Sequence, residues 1–370
     1  MLKALRYRLY PTKAQASRLA WTLETCRQVY NSLVNDRKFQ YEVSGKAPSW
    51  MEQKRSITAW KPNHPELSDV YSQVLQDVSK RVDLAFQAFF RRVKDGEAPG
   101  YPRVKGDGYD SFTYPQSGFG FQQGKLRLSK ISNPKIGDVV IRIHRPIDGT
   151  IKTCTVRRIN SKWFVCFSVE YEAELLPPSA EEVGIDVGLK TFASLSNGEN
   201  IENPHFFRKE EKALAKAQRK LAKQKRGSRE RKKARTVVSR IHERVRNRRH
   251  DFVHQTARRL VNRYGIIAVE KLNIKGMVKN HCLAKSISDA SWSMFRSVLT
   301  NKAESAGRLV VAVNPAYTSQ MCSGCGDIQK KSLSVRTHRC LSCGLVLDRG
   351  TNAAVNIKAL GQYSLATLIA

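Results

Sequence analysis

Cys322-Ser-Gly-Cys325 and Cys340-Leu-Ser-Cys343 are two close cysteine pairs with fourteen residues between them. Thiolates at that spacing can close a tetrahedron around one zinc ion, each pair on its own tight knuckle. Four sulfurs leave no ligand position open, so the zinc would be structural. Such an ion can contribute on the order of 10–16 kcal/mol to folding a small module with almost no core of its own. An acid, Asp348, stands directly behind this metal knob.

Two further acids close short apolar runs, Glu182-Val-Gly-Ile-Asp186 and Ile266-Ile-Ala-Val-Glu270. An uninterrupted apolar run of this length reads as a buried strand, and strand-end acids gather at one edge of a sheet. After Asp186 an apolar run continues to Asn197-Gly198, a hairpin signal that places Asp186 beside that turn. Val310-Val-Ala-Val313 is another buried strand, and Asp348 opens a helix expected to run to Leu360. Three carboxylates brought together repel one another unless divalent cations sit among them. Mg²⁺ or Mn²⁺ takes oxygen ligands and completes its shell with phosphate oxygens, the arrangement of a two-metal phosphodiester cleavage site. A single acid at a strand end is most often a solvated cap. Three in order, beside a zinc knob in a basic chain, point to a site.

The chain carries 65 Lys plus Arg against 32 Asp plus Glu, a formal charge of +33. That excess is far beyond what solubility needs and marks a chain that works on a polyanion, nucleic acid first. An RNA-coating protein would fit the charge equally well; motifs decide. Between Arg208 and Arg249 there are 19 Lys or Arg, with Ala, Leu, Val and Ile interleaved at helical spacing and a break at Gly227-Ser228. This reads as two long basic helices, with Arg219, Lys220, Lys223, Arg231 and Lys232 as candidate phosphate contacts. Tyr109, Phe112, Tyr114, Phe119 and Phe121 are of a type that stacks on bases, though a packed core is the better reading.

The elements that must position these groups can be outlined. Alternation predicts a strand over residues 1–10, helical spacing predicts helices from Lys13 to Phe39 and from Leu67 to Val93, and Glu97-Ala-Pro-Gly-Tyr-Pro102 is a turn-rich boundary. From Phe112 to Tyr171 short β-like runs suggest a small antiparallel barrel, closed off by the proline linker Leu175-Leu-Pro-Pro-Ser-Ala180. With no membrane-length apolar run and no secretory pattern, the expected setting is the reducing cytosol. Cys26, Cys154, Cys166 and Cys282 are then free thiols, and no membrane partner is expected.

The ordered set Arg8-Leu-Tyr-Pro-Thr12, Gly184-Ile-Asp186-Val-Gly188, Val269-Glu270-Lys-Leu272, Ser286-Ile-Ser-Asp-Ala290, Pro315-Ala-Tyr-Thr-Ser-Gln320, the two cysteine pairs and Asp348-Arg349 with Asn352-Ala-Ala354 spans nearly the whole chain. In this the chain resembles the TnpB proteins of IS200/IS605-type insertion sequences, relatives of the type V CRISPR effectors. The resemblance implies an α/β multidomain protein. Residues 179–314 and 347–370 would be a RuvC-like nuclease core of RNase H fold, with basic helices at 206–262 and a zinc ribbon inserted at 315–346. A β-barrel wedge domain (1–10 and 103–178) would carry an inserted helical recognition domain (11–102).

The implied activity is RNA-guided cleavage of double-stranded DNA beside a short transposon-associated motif. Asp186, Glu270 and Asp348 would hold Mg²⁺ or Mn²⁺, and a noncoding RNA from the transposon end would be the guide. A companion transposase is implied as a functional partner; Arg349 reads as a nucleic-acid contact, Asn352 as either a phosphate contact or a helix cap, and His338, close to Cys340, as a residue facing RNA or solvent. The family commonly has a second acid where Gly350 stands. Two other classes are a nuclease-impaired RNA-guided repressor, which should have lost one of the three acids, and an RNase H-fold transposase. The latter would need to read DNA ends by protein alone, and the chain shows no separate helix-turn-helix signal.

Overall fold

The computed structural model describes residues 1–106, 108–332 and 334–369. They fall into two compact units that divide at Glu172/Ala173, just ahead of the proline linker. No helix among the described residues is long and apolar enough to cross a membrane.

In the first unit, strand β1 (Leu2–Tyr10) is followed by helices α1 (Lys13–Ser44), α2 (Trp50–Trp60) and α3 (Ser72–Lys94), and then by strands β2 (Ser111–Tyr114), β3 (Phe119–Gln122), β4 (Lys125–Leu128), β5 (Val139–Arg142), β6 (Thr150–Ile159) and β7 (Lys162–Glu170). The strands form one antiparallel sheet in the order β2-β6-β7-β1-β5-β4-β3. Its two end strands are consecutive in the chain, and the Tyr114 hydroxyl at one end donates to Ser129 O beyond β4 at 2.9 Å. The sheet is therefore nearly closed. Leu5, Tyr7 and Leu9, alternate residues of β1, are buried with Leu19, Leu33 and Val78 of the helices and with Phe112, Val156 and Phe167 of the sheet. Helices and sheet thus share one core. Phe112 and Tyr114 are fully enclosed and Phe119 and Phe121 pack against the same cluster, so the core reading of these aromatics holds.

Helix α1 starts on a capping box, Thr12 with Gln15, and runs past Phe39 to Gly45, which takes the left-handed conformation (φ +69°). Its last apolar residues, Phe39, Tyr41 and Val43, face solvent, which is why the apolar periodicity ends before the helix does. Helix α2 was not expected. Only Gln53 and Ile57 of it are buried, too few to make a stripe, but Ser49 and Glu52 form the capping box that announces it. The expected start of α3 at Leu67 falls in a short 3₁₀ turn, Pro65–Asp69, and α3 proper begins at Ser72.

The second unit is built on a five-stranded sheet of order β10-β9-β8-β11-β12, from β8 (Glu182–Val187), β9 (Thr191–Leu195), β10 (Asn200–Glu202), β11 (Ile266–Glu270) and β12 (Leu309–Val313). Strands β8, β11 and β12 are parallel, and β8-β9-β10 is a meander. Between β10 and β11 run the basic helices α4 (Phe206–Ala222) and α5 (Arg229–Arg263), broken by Gly227 and capped by Ser228 as the sequence indicates. Helices α6 (Ile274–Met277), α7 (His281–Ala290) and α8 (Trp292–Glu304) precede β12. A two-stranded ribbon, β13 (Thr337–Arg339) and β14 (Val346–Asp348), leads into α9 (Arg349–Ile369), which runs beyond the expected Leu360.

The sheet is covered on both faces, so its strands read as continuous apolar runs. Ile267 and Val269 join the core under Leu260 of α5 and Phe295 and Leu299 of α8, while Ala268 between them packs with Ile357 of α9. Gly184 permits this closeness, since a Cβ there would overlap Ala354 O of α9.

Candidate functional site

Ile185 of β8 lies opposite Val269 of β11 in a parallel pair. Asp186 and Glu270 each follow by one residue, so they stand side by side at the carboxyl ends of neighbouring strands, where open α/β sheets present their ligands. Asp186 also faces Ser194 of β9. The turn beside Asp186 is that between β8 and β9 at Gly188, whose N–H donates to Phe192 O at 3.2 Å. The expected Asn197-Gly198 turn instead joins β9 to β10 at the other end of the strands, next to Gly184, whose carbonyl accepts from Ser196 N. Asp348 closes β14 and heads α9, its Oδ1 accepting from Gly350 N at 2.8 Å and Thr351 N at 3.3 Å.

Asp186 feels the charges of the other two acids. Burial raises the Asp186 carboxyl, the charges of Glu270 and Asp348 raise it further, and Arg349 and Arg336 oppose them; the result is a carboxyl pushed up to about 7. Burial also raises Glu270, countered by the Thr318 hydroxyl, which donates to Glu270 Oε1 at 2.6 Å. Like charges crowded in a half-dry site are what a divalent cation neutralises, and every available donor is a carboxylate oxygen, as Mg²⁺ or Mn²⁺ requires. A Cβ on Gly350 would come within 2.5 Å of Ser194 Oγ, which is held by Asn200 Oδ1 at 2.7 Å. Ser194 thus fills the space beside Gly350.

Among the described residues, Cys322, Cys325, Cys340 and Cys343 are the one set of three or more His, Cys, Asp or Glu side chains whose ligand atoms all lie within 4.8 Å of one another. Cys322 Sγ is 3.6 Å from Cys343 Sγ, and Cys325 Sγ is 3.5 Å from Cys340 Sγ. A tetrahedron with Zn–S bonds of about 2.3 Å has edges near 3.8 Å, so the quartet fits zinc. The two knuckles are copies. Gly326 and Gly344 take left-handed backbones (φ +81° and +74°) and donate to Cys322 O and Cys340 O, while Cys322 N and Cys340 N donate to Asp327 O and Leu345 O.

Several residues lie elsewhere than the sequence suggested. His338 is fully buried, not turned to RNA or solvent; β13 carries it inward, where its Nδ1 meets the Lys331 amine. Asn352 is neither a phosphate contact nor a cap. It is buried, its Nδ2 donating to Met321 O at 2.8 Å and its Oδ1 accepting from Ser323 N at 2.9 Å. Arg349 lies near enough to Asp186 to lower its pKa, and its Nη1 also donates to Ser332 O and Val335 O.

On the basic helices, Arg219, Lys220, Lys223 and Lys232 are exposed. Arg231 has a structural task, its Nη1 donating to Leu221 O and Gln224 O across the turn between α4 and α5. Sequence reasoning gave no role to Thr318, Asn356, Arg336 or Asp289. Asp289, in the quoted Ser286–Ala290 motif, is buried; it accepts from Phe207 N at 2.9 Å at the start of α4 and pairs with Arg249 of α5 at 2.7 Å.

Comparison with known proteins fits this arrangement. A Streptomyces pristinaespiralis protein named "Putative RNA-guided DNA endonuclease" is 36% identical over 97% of this chain and 89% of its own length. The chain belongs to the TnpB family. "Putative RNA-guided DNA endonuclease InsQ" of Escherichia coli K12 shares 31% identity with this TnpB chain, covering 99% of it and 94% of InsQ. "TnpB-like protein L79" of Acanthamoeba polyphaga mimivirus is 33% identical across 36% of this chain and 27% of its own.

Residues 165–281 of this TnpB chain match a family described as "Probable transposase", and residues 292–357 match the "Cas12f1-like, TNB domain". Residues 1–46 match a family described as a helix-turn-helix domain, so the expectation of no such signal is corrected. In the structure that stretch holds β1 and the single unbroken helix α1, which is why no two-helix pattern could be read from it. In fold, the chain resembles a solved Cas12f1 chain from a Cas12f1-sgRNA-target DNA complex, with a TM-score of 0.59 and 13% identity over 97% of this chain and 98% of that one.

Proposed function

We propose that this TnpB chain is an RNA-guided DNA endonuclease that cuts double-stranded DNA beside a short transposon-associated motif, with a RuvC-like site of RNase H type. The observation that carries the reading is the convergence of Asp186 and Glu270, at the ends of adjacent parallel strands, with Asp348 at the head of α9, near enough that the charges of Glu270 and Asp348 add to the burial that raises the Asp186 carboxyl. The relatives named as RNA-guided DNA endonucleases support it.

In this reading the three carboxylates would hold two divalent cations, and these would bind the phosphate to be cut. Two such ions would stand about 4 Å apart. The bound cations would supply an activated water and stabilise the leaving 3′ oxygen. Asp186 and Glu270 present their oxygens from a rigid sheet edge, and Asp348, fixed by the α9 amides, keeps Oδ2 clear of them. Arg219, Lys220, Lys223 and Lys232 offer exposed charge for the guide–target duplex. All three acids are retained, which favours a nuclease over a repressor.

The test is plasmid cleavage in Mg²⁺ by protein co-expressed with its flanking transposon sequence, against the same protein stripped of RNA. Cutting at the guide-matched site by the RNA-loaded protein alone supports the reading. Equal cutting without RNA, or none with it, refutes it.

A further inference from the structure

Thr318 lies four residues before the first zinc ligand and is 3% exposed, yet its hydroxyl reaches Glu270 Oε1 at 2.6 Å. Its second, longer contact is Pro315 O at 3.2 Å. Glu270 Oε2 has no hydrogen-bond partner among the described residues. A carboxylate pinned at one oxygen and open at the other has the form of a metal ligand oriented by a neighbour.

Thr318 is itself held from behind. Its carbonyl accepts from Asn356 Nδ2 at 2.9 Å, and the same amide donates to Met321 O at 2.8 Å. Asn352, one turn earlier on α9, donates to Met321 O at 2.8 Å and accepts from Ser323 N at 2.9 Å. Both asparagines are buried, at 0% and 4% exposure. Two amides an i, i+4 step apart therefore grip the backbone on both sides of Cys322. They project from the helix that Asp348 heads. The zinc knuckle, Thr318 and two of the three acids form one connected piece.

We infer that the zinc ribbon sets the position of Glu270. The Thr318 hydroxyl orients the carboxylate, and the first knuckle, clamped to α9 by Asn352 and Asn356, fixes where Thr318 stands. Thr318 is a positioning residue, and the inference rests on Glu270 being a metal ligand of the proposed nuclease. It gives a metal knob that offers no open coordination position a task at the proposed site.

The experiment compares wild type, Thr318→Val, Thr318→Ser and the Asn352→Ala/Asn356→Ala pair as zinc-loaded full chains. Zinc content and melting temperature are measured first without added cation, then the Mn²⁺ concentration giving half of the maximal thermal shift, and last the Mg²⁺ dependence of guided cleavage. Thr318→Val should keep its zinc but need about 10–100-fold more Mn²⁺, with a matching rise in the Mg²⁺ requirement for cutting. Thr318→Ser, which keeps the hydroxyl, should stay within about threefold of wild type, and the asparagine pair should behave like Thr318→Val.

A wild-type Mn²⁺ response in Thr318→Val overturns the inference, as does a Thr318→Ser no better than Thr318→Val, which would assign the effect to the methyl group. A wild-type response from the asparagine pair overturns the role of the clamp. If Glu270→Gln responds to Mn²⁺ as wild type does, the inference fails at its base. A wild type that binds Mn²⁺ through Glu270 but never cuts refutes the nuclease reading, while the Mn²⁺ titrations still decide the role of Thr318.

Discussion

Asp186→Asn should stabilise the protein in the absence of divalent cations, even though it removes a residue of the proposed site. The Asp186 carboxyl is raised from 3.8 to about 7, and it makes no hydrogen bond among the described residues that an amide would lose. A shift of about three units corresponds to a ceiling of about 4 kcal/mol, and because Asp186 retains some solvent contact we take roughly half, about 2 kcal/mol.

The sign follows from linkage. A carboxyl whose pKa is higher folded than unfolded binds its proton more tightly in the folded state, so ionising it destabilises the fold. The penalty is full above about pH 7 and is relieved as pH falls from there toward 4. Thermal melts of zinc-loaded, Mg²⁺-free protein should therefore show Asp186→Asn melting about 5 °C above wild type at pH 8, with the gap roughly halved by pH 5 and closing near pH 4. Mg²⁺ at pH 8 should raise the wild type more than the variant, since only the wild type has the full repulsion to relieve. A variant that melts below wild type at pH 8, or by the same margin at both pH values, would refute the electrostatic account of the site.

Gly350→Asp, which adds a second acid two residues after Asp348, should lower stability by about 1–3 kcal/mol because its Cβ meets Ser194 Oγ, and adding Ser194→Gly should recover most of the loss; melting curves of the single and double variants check this. Asp289→Ala leaves Arg249 without its carboxylate and the start of α4 without its acceptor, and should cost about 2–4 kcal/mol in chemical denaturation. Replacing Arg219, Lys220 and Lys223 together by Gln should leave melting unchanged. Nucleic-acid affinity should weaken, and a titration over KCl concentration should show a salt dependence shallower by about 0.9 for each phosphate that the variant no longer neutralises.

Much of this site was legible because its signals are local. Apolar runs ending in Asp186 and Glu270, knuckles of Cys-x-x-Cys-Gly form and a basic stretch broken at Gly227-Ser228 each depend on residues a few positions apart, and the structure places them as strand ends, a gathered four-sulfur cluster and a helix pair. What escaped depends on distant partners. Thr318 and Asn356 carry no pattern of their own; their meaning lies in hydrogen bonds spanning 48 and 38 positions. Asn352, at the start of a helix, has the residue type and place of a cap, and only the Met321 carbonyl 31 positions away reveals its task. His338 beside a metal knob reads as exposed because small ribbons have little interior, yet β13 turns it inward. Helix α2 fell below notice because it buries only two residues.

Guided binding and guided cutting measured on one variant, Glu270→Gln, test the central claim most directly. RNA-loaded wild type and variant are given the same matched duplex in Mg²⁺. The account predicts equal binding with strand cleavage reduced by two orders of magnitude or more, since the backbone hydrogen bond from Lys271 to Val313 that anchors this strand end is untouched while a charged ligand is removed. A Glu270→Gln protein that cuts at the wild-type rate would contradict it.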